Sequence, residues 1–193
     1  MIWVITSPER IHEEKQIIAA LLSAGASRVV LRKPGWTNAQ YRTLLDNIRP
    51  HYYNRLLIRD EPLLAAEYGL AGVHWSKSAN AFHATTIYTE NSIGIHSANE
   101  ITTTNKRYSM LLLSPVFNSI SKPGYTGRAA GMLINKDHRP VLALGGVNHT
   151  NIISLKKWQF DGAALLGAIW QTPAKAVENY YRIQELWNKS DLT

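Results

Sequence analysis

At 193 residues, 45% of them hydrophobic, the chain has the length of one domain and the apolar content for a sizeable core. It has no cysteine, which removes disulfides, thiolate nucleophiles and cysteine-ligated zinc and leaves proton transfer to histidines and carboxylates. A formal charge of +7, dispersed rather than clustered, favours small phosphorylated partners over nucleic acid, and with no long apolar run or leader pattern the chain is expected to be soluble and cytoplasmic, without a membrane segment.

The chain opens on a β-branched strand, Ile2 to Thr6. Ser7 reads as a helix N-cap with Pro8 at the first helical position, and Ile17, Ile18, Leu21 and Leu22 fall at helical spacing until Gly25. Arg28 to Arg32 is the next strand, and a helix from about Thr37 to Ile48 leads to a strand at Leu56 to Ile58. Glu61 to Tyr68 is a short helix closed by Gly69. Further strands follow at Ala71 to His74, Ser92 to Ile95, Met110 to Leu113, Val141 to Leu144 and Ala163 to Leu166, and a last helix runs from about Pro173 to Trp187. Its Val177, Tyr180, Tyr181, Ile183 and Trp187 suit packing on the fold or a homodimer contact.

These strands are continuous apolar runs, as parallel strands covered on both faces require. With helical connections they predict an α/β fold, a single TIM-type (β/α)8 barrel domain over residues 1–193, with reduced crossovers at 77–88 and 129–138 where helical periodicity is poor. A doubly wound open sheet is the rival, though no Gly-x-Gly-x-x-Gly follows the first strand.

A barrel of this kind works at the C-terminal ends of its strands. There the sequence places Thr6, Ser7, Arg32, Lys33, Arg59, Asp60, His74, His96, Ser97, Ser114, Gly145, Gly146 and Gly167. Arg32 and Lys33 are candidates for neutralising a phosphate, and Asp60 for a magnesium ligand or a helix N-cap. His74 and His96 are candidate acid/base groups or hydrogen-bonded structural residues. Ser119, Ser121 and Lys122 bring two hydroxyls and an ammonium to one Gly-flanked stretch, which is either an anion cradle or a solvated loop. Gly145, Gly146 and Gly167, at the ends of the last two strands, allow backbone N–H groups to approach phosphate oxygens.

Seven segments, at 30–34, 58–60, 72–74, 94–97, 114–122, 142–148 and 161–169, resemble in order and spacing the thiamine phosphate synthase and thiazole tautomerase (TenI-like) family. The resemblance implies a transferase that joins a pyrimidine diphosphate to a thiazole phosphate with magnesium. It implies Arg32 and Lys122 on the diphosphate, Asp60 on the metal and His74 facing the pyrimidine. Ser119, Ser121, Gly146 and Gly167 would surround the thiazole phosphate. Several positions depart from the pattern: Val30 replaces a glutamine, Pro34 a lysine and Arg59 an asparagine, and Ala79 stands at or near a second metal-binding aspartate. Arg59 is then a candidate to neutralise diphosphate in place of the metal. The tautomerase alternative needs only a phosphate cup and proton transfer, which Pro115, standing where a tautomerase histidine would be, leaves to His74 or His96. A non-catalytic phosphate binder is the third reading.

Overall fold

Eight short parallel strands close into a barrel in sequential order, each pairing with the next and β8 returning to β1. The structure is a computed structural model and describes residues 1–79, 90–118, 127 and 130–189. The strands are β1 (Ile2–Ile5), β2 (Arg28–Leu31), β3 (Leu56–Arg59), β4 (Gly72–Trp75), β5 (Glu90–Ile95), β6 (Met110–Leu113), β7 (Val141–Leu144) and β8 (Gly162–Leu165). The closed barrel bears out the fold expected from the sequence and excludes the open sheet.

Between the strands lie α1 (Glu14–Ser23), α2 (Asn38–Leu45), α3 (Pro62–Tyr68), α4 (Glu100–Thr103) and α5 (Ser154–Lys157), and α6 (Gly167–Trp170) and α7 (Ala176–Lys189) follow β8. Helix α2 begins at the expected Thr37, whose side chain and Gln40 form a reciprocal capping box. Ser7, in contrast, does not cap α1: its hydroxyl accepts the Glu9 N–H at 3.2 Å, a local turn, and the helix starts only at Glu14. Residues 130–140 of the β6–β7 crossover contain no helix, as their poor periodicity implied. Most of the 77–88 stretch lies outside the described residues.

Side-chain alternation along the strands divides the core in two. Trp3, Ile5, Val30, Leu57, Leu112, Leu142 and Ala164 fill the barrel interior. Val4, Val29, Leu31, Ile58, Val73, Ile93, Ile95, Leu111, Leu113, Val141 and Leu165 join the larger layer between strands and helices. Each fully buried aliphatic side chain contributes about 1.5–3 kcal/mol. Helix α7 spends its aromatic face on this layer: Tyr180, Ile183 and Trp187 are buried and Tyr181 is exposed. Among the described residues no helix is long and apolar enough to cross a membrane.

The same alternation, carried one step past each strand, decides what faces the barrel mouth. Val30 is interior and Leu31 exterior, so Arg32 turns inward and Lys33 outward. By the same count Arg59, His74, Ser92, Gly94, His96 and Ser114 belong to the interior side.

Candidate active site

The exit of β2 is held at four backbone points. Thr6, buried at the end of β1, accepts the Arg32 N–H at 2.8 Å and donates back to the Arg32 carbonyl at 3.2 Å. The Tyr41 hydroxyl of α2 accepts the Lys33 N–H at 2.9 Å and donates to the Lys33 carbonyl at 3.3 Å. The Arg32 guanidinium therefore projects from a fixed backbone into the mouth. Lys33 does not join it. Its ammonium points outward, is sealed from solvent, and donates to Glu14 at 2.6 Å and to the Glu9 carbonyl at 2.7 Å, with the Trp36 ring 5.2 Å away. Burial pushes the Lys33 ammonium down and the Glu14 carboxyl up, each opposed by the bond between them. The phosphate role expected of Lys33 thus gives way to a structural one, because its position is one residue out of phase with the interior.

Arg59 stands beside Arg32, one step beyond the Leu31–Ile58 pair of the β2–β3 register. Burial first, and Arg59 next, lower the pKa of Arg32, so two like charges are held together at the mouth. Asp60 lies next to them with its Oδ2 at 3.3 Å from Arg59 Nε. It occupies the left-handed region, φ 55°, which aspartate tolerates better than most residues. Its N–H donates to the His74 carbonyl at 3.1 Å and its Oδ1 accepts the Ser76 N–H at 2.7 Å. Asp60 thereby latches the exits of β3 and β4 and does not cap α3, whose N-cap position is Glu61.

His74 is buried below this latch, its Nδ1 2.9 Å from the hydroxyl of Ser92 on β5. Burial, reinforced by Arg59 and Arg32 and only partly opposed by Asp60, pushes its pKa down to about 3. The imidazole is neutral near pH 7, and the near-neutral acid/base role expected of it does not suit this environment. His96 differs. It is exposed, and its Nδ1 lies 2.9 Å from the Ser114 carbonyl, an acceptor only, so Nδ1 carries the proton and Nε2 of the neutral ring keeps its lone pair. Glu100 holds the His96 backbone N–H at 3.1 Å.

Across the mouth, Gly145 and Gly146 both take left-handed φ, 92° and 70°. A Cβ on Gly146 would sit 2.2 Å from the Asn118 carbonyl oxygen, so the turn after β7 packs directly on the segment after β6. The Gly127 N–H donates to Asn118 Oδ1 at 2.8 Å, bringing 118 and 127 together beside that turn. Ser119, Ser121 and Lys122 lie outside the described residues. Gly167 opens α6 on the neighbouring strand. An open cleft of about 510 Å³ between the start of α1 and α2, lined by Arg10, Trp36 and Gln40 among others, lies outside the barrel and touches none of the mouth residues.

A magnesium ion demands near-octahedral oxygen ligands, one or two of them carboxylates. Here one oxygen of Asp60 is committed to a backbone N–H, the other faces a guanidinium, and Ala79 supplies no carboxylate. Among the described residues no three His, Asp or Glu side chains cluster to hold a metal. This donor set does not suit a resident magnesium ion.

The sequence reading missed Thr6 as the brace of Arg32, Glu14 as the partner of Lys33, and Ser92 as the partner of His74. Period-two counting from Val30 would have found the outward turn of Lys33. Ser92 needed the β4–β5 register, which pairs it with His74.

The family model described as thiamine monophosphate synthase matches residues 2–169. The chain belongs to that family. A thiamine phosphate pyrophosphorylase from Bacteroides thetaiotaomicron has a similar fold, with TM-score 0.78, 23% identity and 97% of each chain covered. A thiamine phosphate pyrophosphorylase from Pyrococcus furiosus is similar at TM-score 0.78 and 18% identity, over 98% of this chain and 96% of that one. The phosphoribosyl anthranilate isomerase of Thermus thermophilus shares the fold more loosely, with TM-score 0.62, 14% identity, and 98% and 99% coverage. No curated protein matches the chain. In this chain Arg59 puts a second guanidinium at the mouth, beside Arg32.

Proposed function

We propose that the barrel mouth joins a pyrimidine diphosphate to a thiazole phosphate, forming thiamine phosphate and releasing diphosphate. The observation that carries this reading is the pair of inward guanidiniums, Arg32 and Arg59, held side by side with the Asp60 carboxylate against Arg59. Two fixed cations on a braced backbone suit a dianionic or more highly charged group, and they gain most as charge develops on a departing diphosphate. In this reading Arg59 supplies the positive charge for which the family pattern uses magnesium. His74 presents an uncharged ring to the pyrimidine, the turn at Gly145 and Gly146, with Gly167, Ser119 and Ser121, receives the thiazole phosphate, and Lys122 joins the arginines on the departing diphosphate. The site's task is to hold the thiazole nitrogen in line with the pyrimidine methylene as that bond ionises.

One observation favours a second reading, isomerisation of a thiazole phosphate. The free lone pair of His96 Nε2 gives an exposed base at the rim, whereas His74 is held neutral. The purified chain supplied with both substrates, in magnesium and in a chelator, is expected to form thiamine phosphate in both conditions, and Arg59→Ala to lose most of the rate. Conversion of the thiazole isomer with no thiamine phosphate formed would move the site to the second reading.

A further inference from the structure

We propose that Ser92 is a positioning residue: its hydroxyl donates to His74 Nδ1 and holds the imidazole as the Nε2–H tautomer, giving the barrel mouth one fixed N–H donor for a ring-nitrogen or carbonyl acceptor. Ser92 and His74 are directly paired in the β4–β5 register, both face the interior, and Oγ lies 2.9 Å from Nδ1. Ser92 is fully buried, and among the described residues its hydroxyl has no other partner. If Nδ1 carried the proton, serine would accept, and its own hydrogen would be buried without an acceptor, which folded proteins avoid. With the hydroxyl as donor both groups are satisfied, and the ring proton is left on Nε2. No described residue uses Nε2.

The charges facing His74 agree. Arg32 from β2 and Arg59 from β3 oppose a protonated ring, among the described residues Asp60 alone favours it, and Ser92 from β5 is uncharged. A neutral ring has one donor and one acceptor, and Ser92 decides which nitrogen is which. The consequence for a ligand rests on the functional reading above: the guanidiniums take the anionic end, and the Nε2–H takes an acceptor on the heteroaromatic ring. A ring offering a donor there would meet N–H against N–H.

Nitrogen-15 spectra of the histidine rings in the free protein, assigned through His74→Asn, test the tautomer without any ligand. The expected result is a protonated Nε2 and an unprotonated Nδ1, unchanged from pH 5.5 to 8. A protonated Nδ1, or a ring titrating in that range, overturns the proposal. Ser92→Ala should relax the tautomer preference while Ser92→Thr retains it; if the alanine variant does not fold, the wild-type spectrum and the threonine variant decide. In binding, Ser92→Ala should leave affinity for inorganic diphosphate within about twofold and weaken the pyrimidine diphosphate at least about tenfold, the scale of one lost ring hydrogen bond. Equal loss of both would make Ser92 merely structural and overturn the proposal. Wild-type protein that binds inorganic diphosphate but not the pyrimidine diphosphate would refute the functional reading, with the tautomer decided separately by the spectra.

Discussion

The two halves of the barrel mouth are built in opposite ways. From β2 to β5 the surface is made by side chains held in place: Arg32 braced by Thr6, Lys33 locked to Glu14, Asp60 bridging two strand exits, and His74 set against Ser92. From β6 to β8 it is made by side chains left out. Gly145 and Gly146 bring backbone onto Asn118 and Pro115, and the interior beneath is aliphatic, with Leu112, Leu142 and Leu144. The first half spends burial and like-charge repulsion to present fixed charge, so its weak points are electrostatic. The second half spends backbone freedom to gain closeness, so its weak points are steric.

The largest break is expected in the first half. Lys33→Ala leaves the Glu14 carboxylate buried without its cation and should lower unfolding free energy by about 3–5 kcal/mol in urea titrations. Replacing both partners, with Lys33→Met and Glu14→Leu, should cost much less, because no charge is then stranded. A single variant as stable as wild type would show that the pair does not brace the β2 exit. The steric half is next. Gly146→Ala combines a left-handed φ with a Cβ 2.2 Å from a carbonyl oxygen. Strain and overpacking together should cost about 3 kcal/mol.

His74 offers a third, pH-dependent test. Its folded pKa is depressed to about 3 from an ordinary 6.5, so below pH 6.5 the unfolded chain binds a proton that the folded chain refuses. The sign is therefore a loss of stability on acidification. The contribution is fully present above pH 6.5 and falls by about 1.4 kcal/mol per pH unit down to the folded pKa. Carboxylates add their own acid dependence, which cancels in the difference between wild type and His74→Asn. That difference should narrow steadily from pH 7 to 4.5; a constant difference would mean that the imidazole binds its proton in the folded state as readily as in the unfolded chain.

The contrast between the halves also explains what could be read in advance. Strand positions were legible because continuous apolar runs such as Met110 to Leu113 have no other use in a parallel barrel. Arg32, Arg59 and His74 were legible as strand ends. Lys33 was misplaced because being last in a strand says nothing about facing, which depends on the parity of Val30 and Leu31. The capping role given to Ser7 failed because a hydroxyl before a proline also suits the local turn that it makes with Glu9. Ser92 was invisible: its importance lies in a partner 18 residues away, brought near by strand register rather than by sequence. Near-neutral chemistry at His74 was over-read for a related reason, since the burial and the two guanidiniums that keep it neutral come from other strands.

The smallest expected effect on the fold sharpens the comparison most. Gly94 is an interior-side glycine on β5, two residues from Ser92 and two from His96, and a Cβ built on it meets no atom of a described residue within 4 Å. Its φ is not left-handed, so unlike Gly146 it has no conformational need to be glycine. Gly94→Ala should therefore change stability by less than about 0.5 kcal/mol, or raise it slightly by restricting the unfolded chain. The added methyl enters the mouth beside the His74–Ser92 pair, so it should weaken binding of a pyrimidine diphosphate while sparing inorganic diphosphate, which does not reach that pair. Calorimetric unfolding and the two titrations on one variant would then separate a glycine required by the chain from one required by the ligand. If Gly94→Ala is destabilised as much as Gly146→Ala, the open space at β5 belongs to the fold, and the ring of the substrate must lie elsewhere.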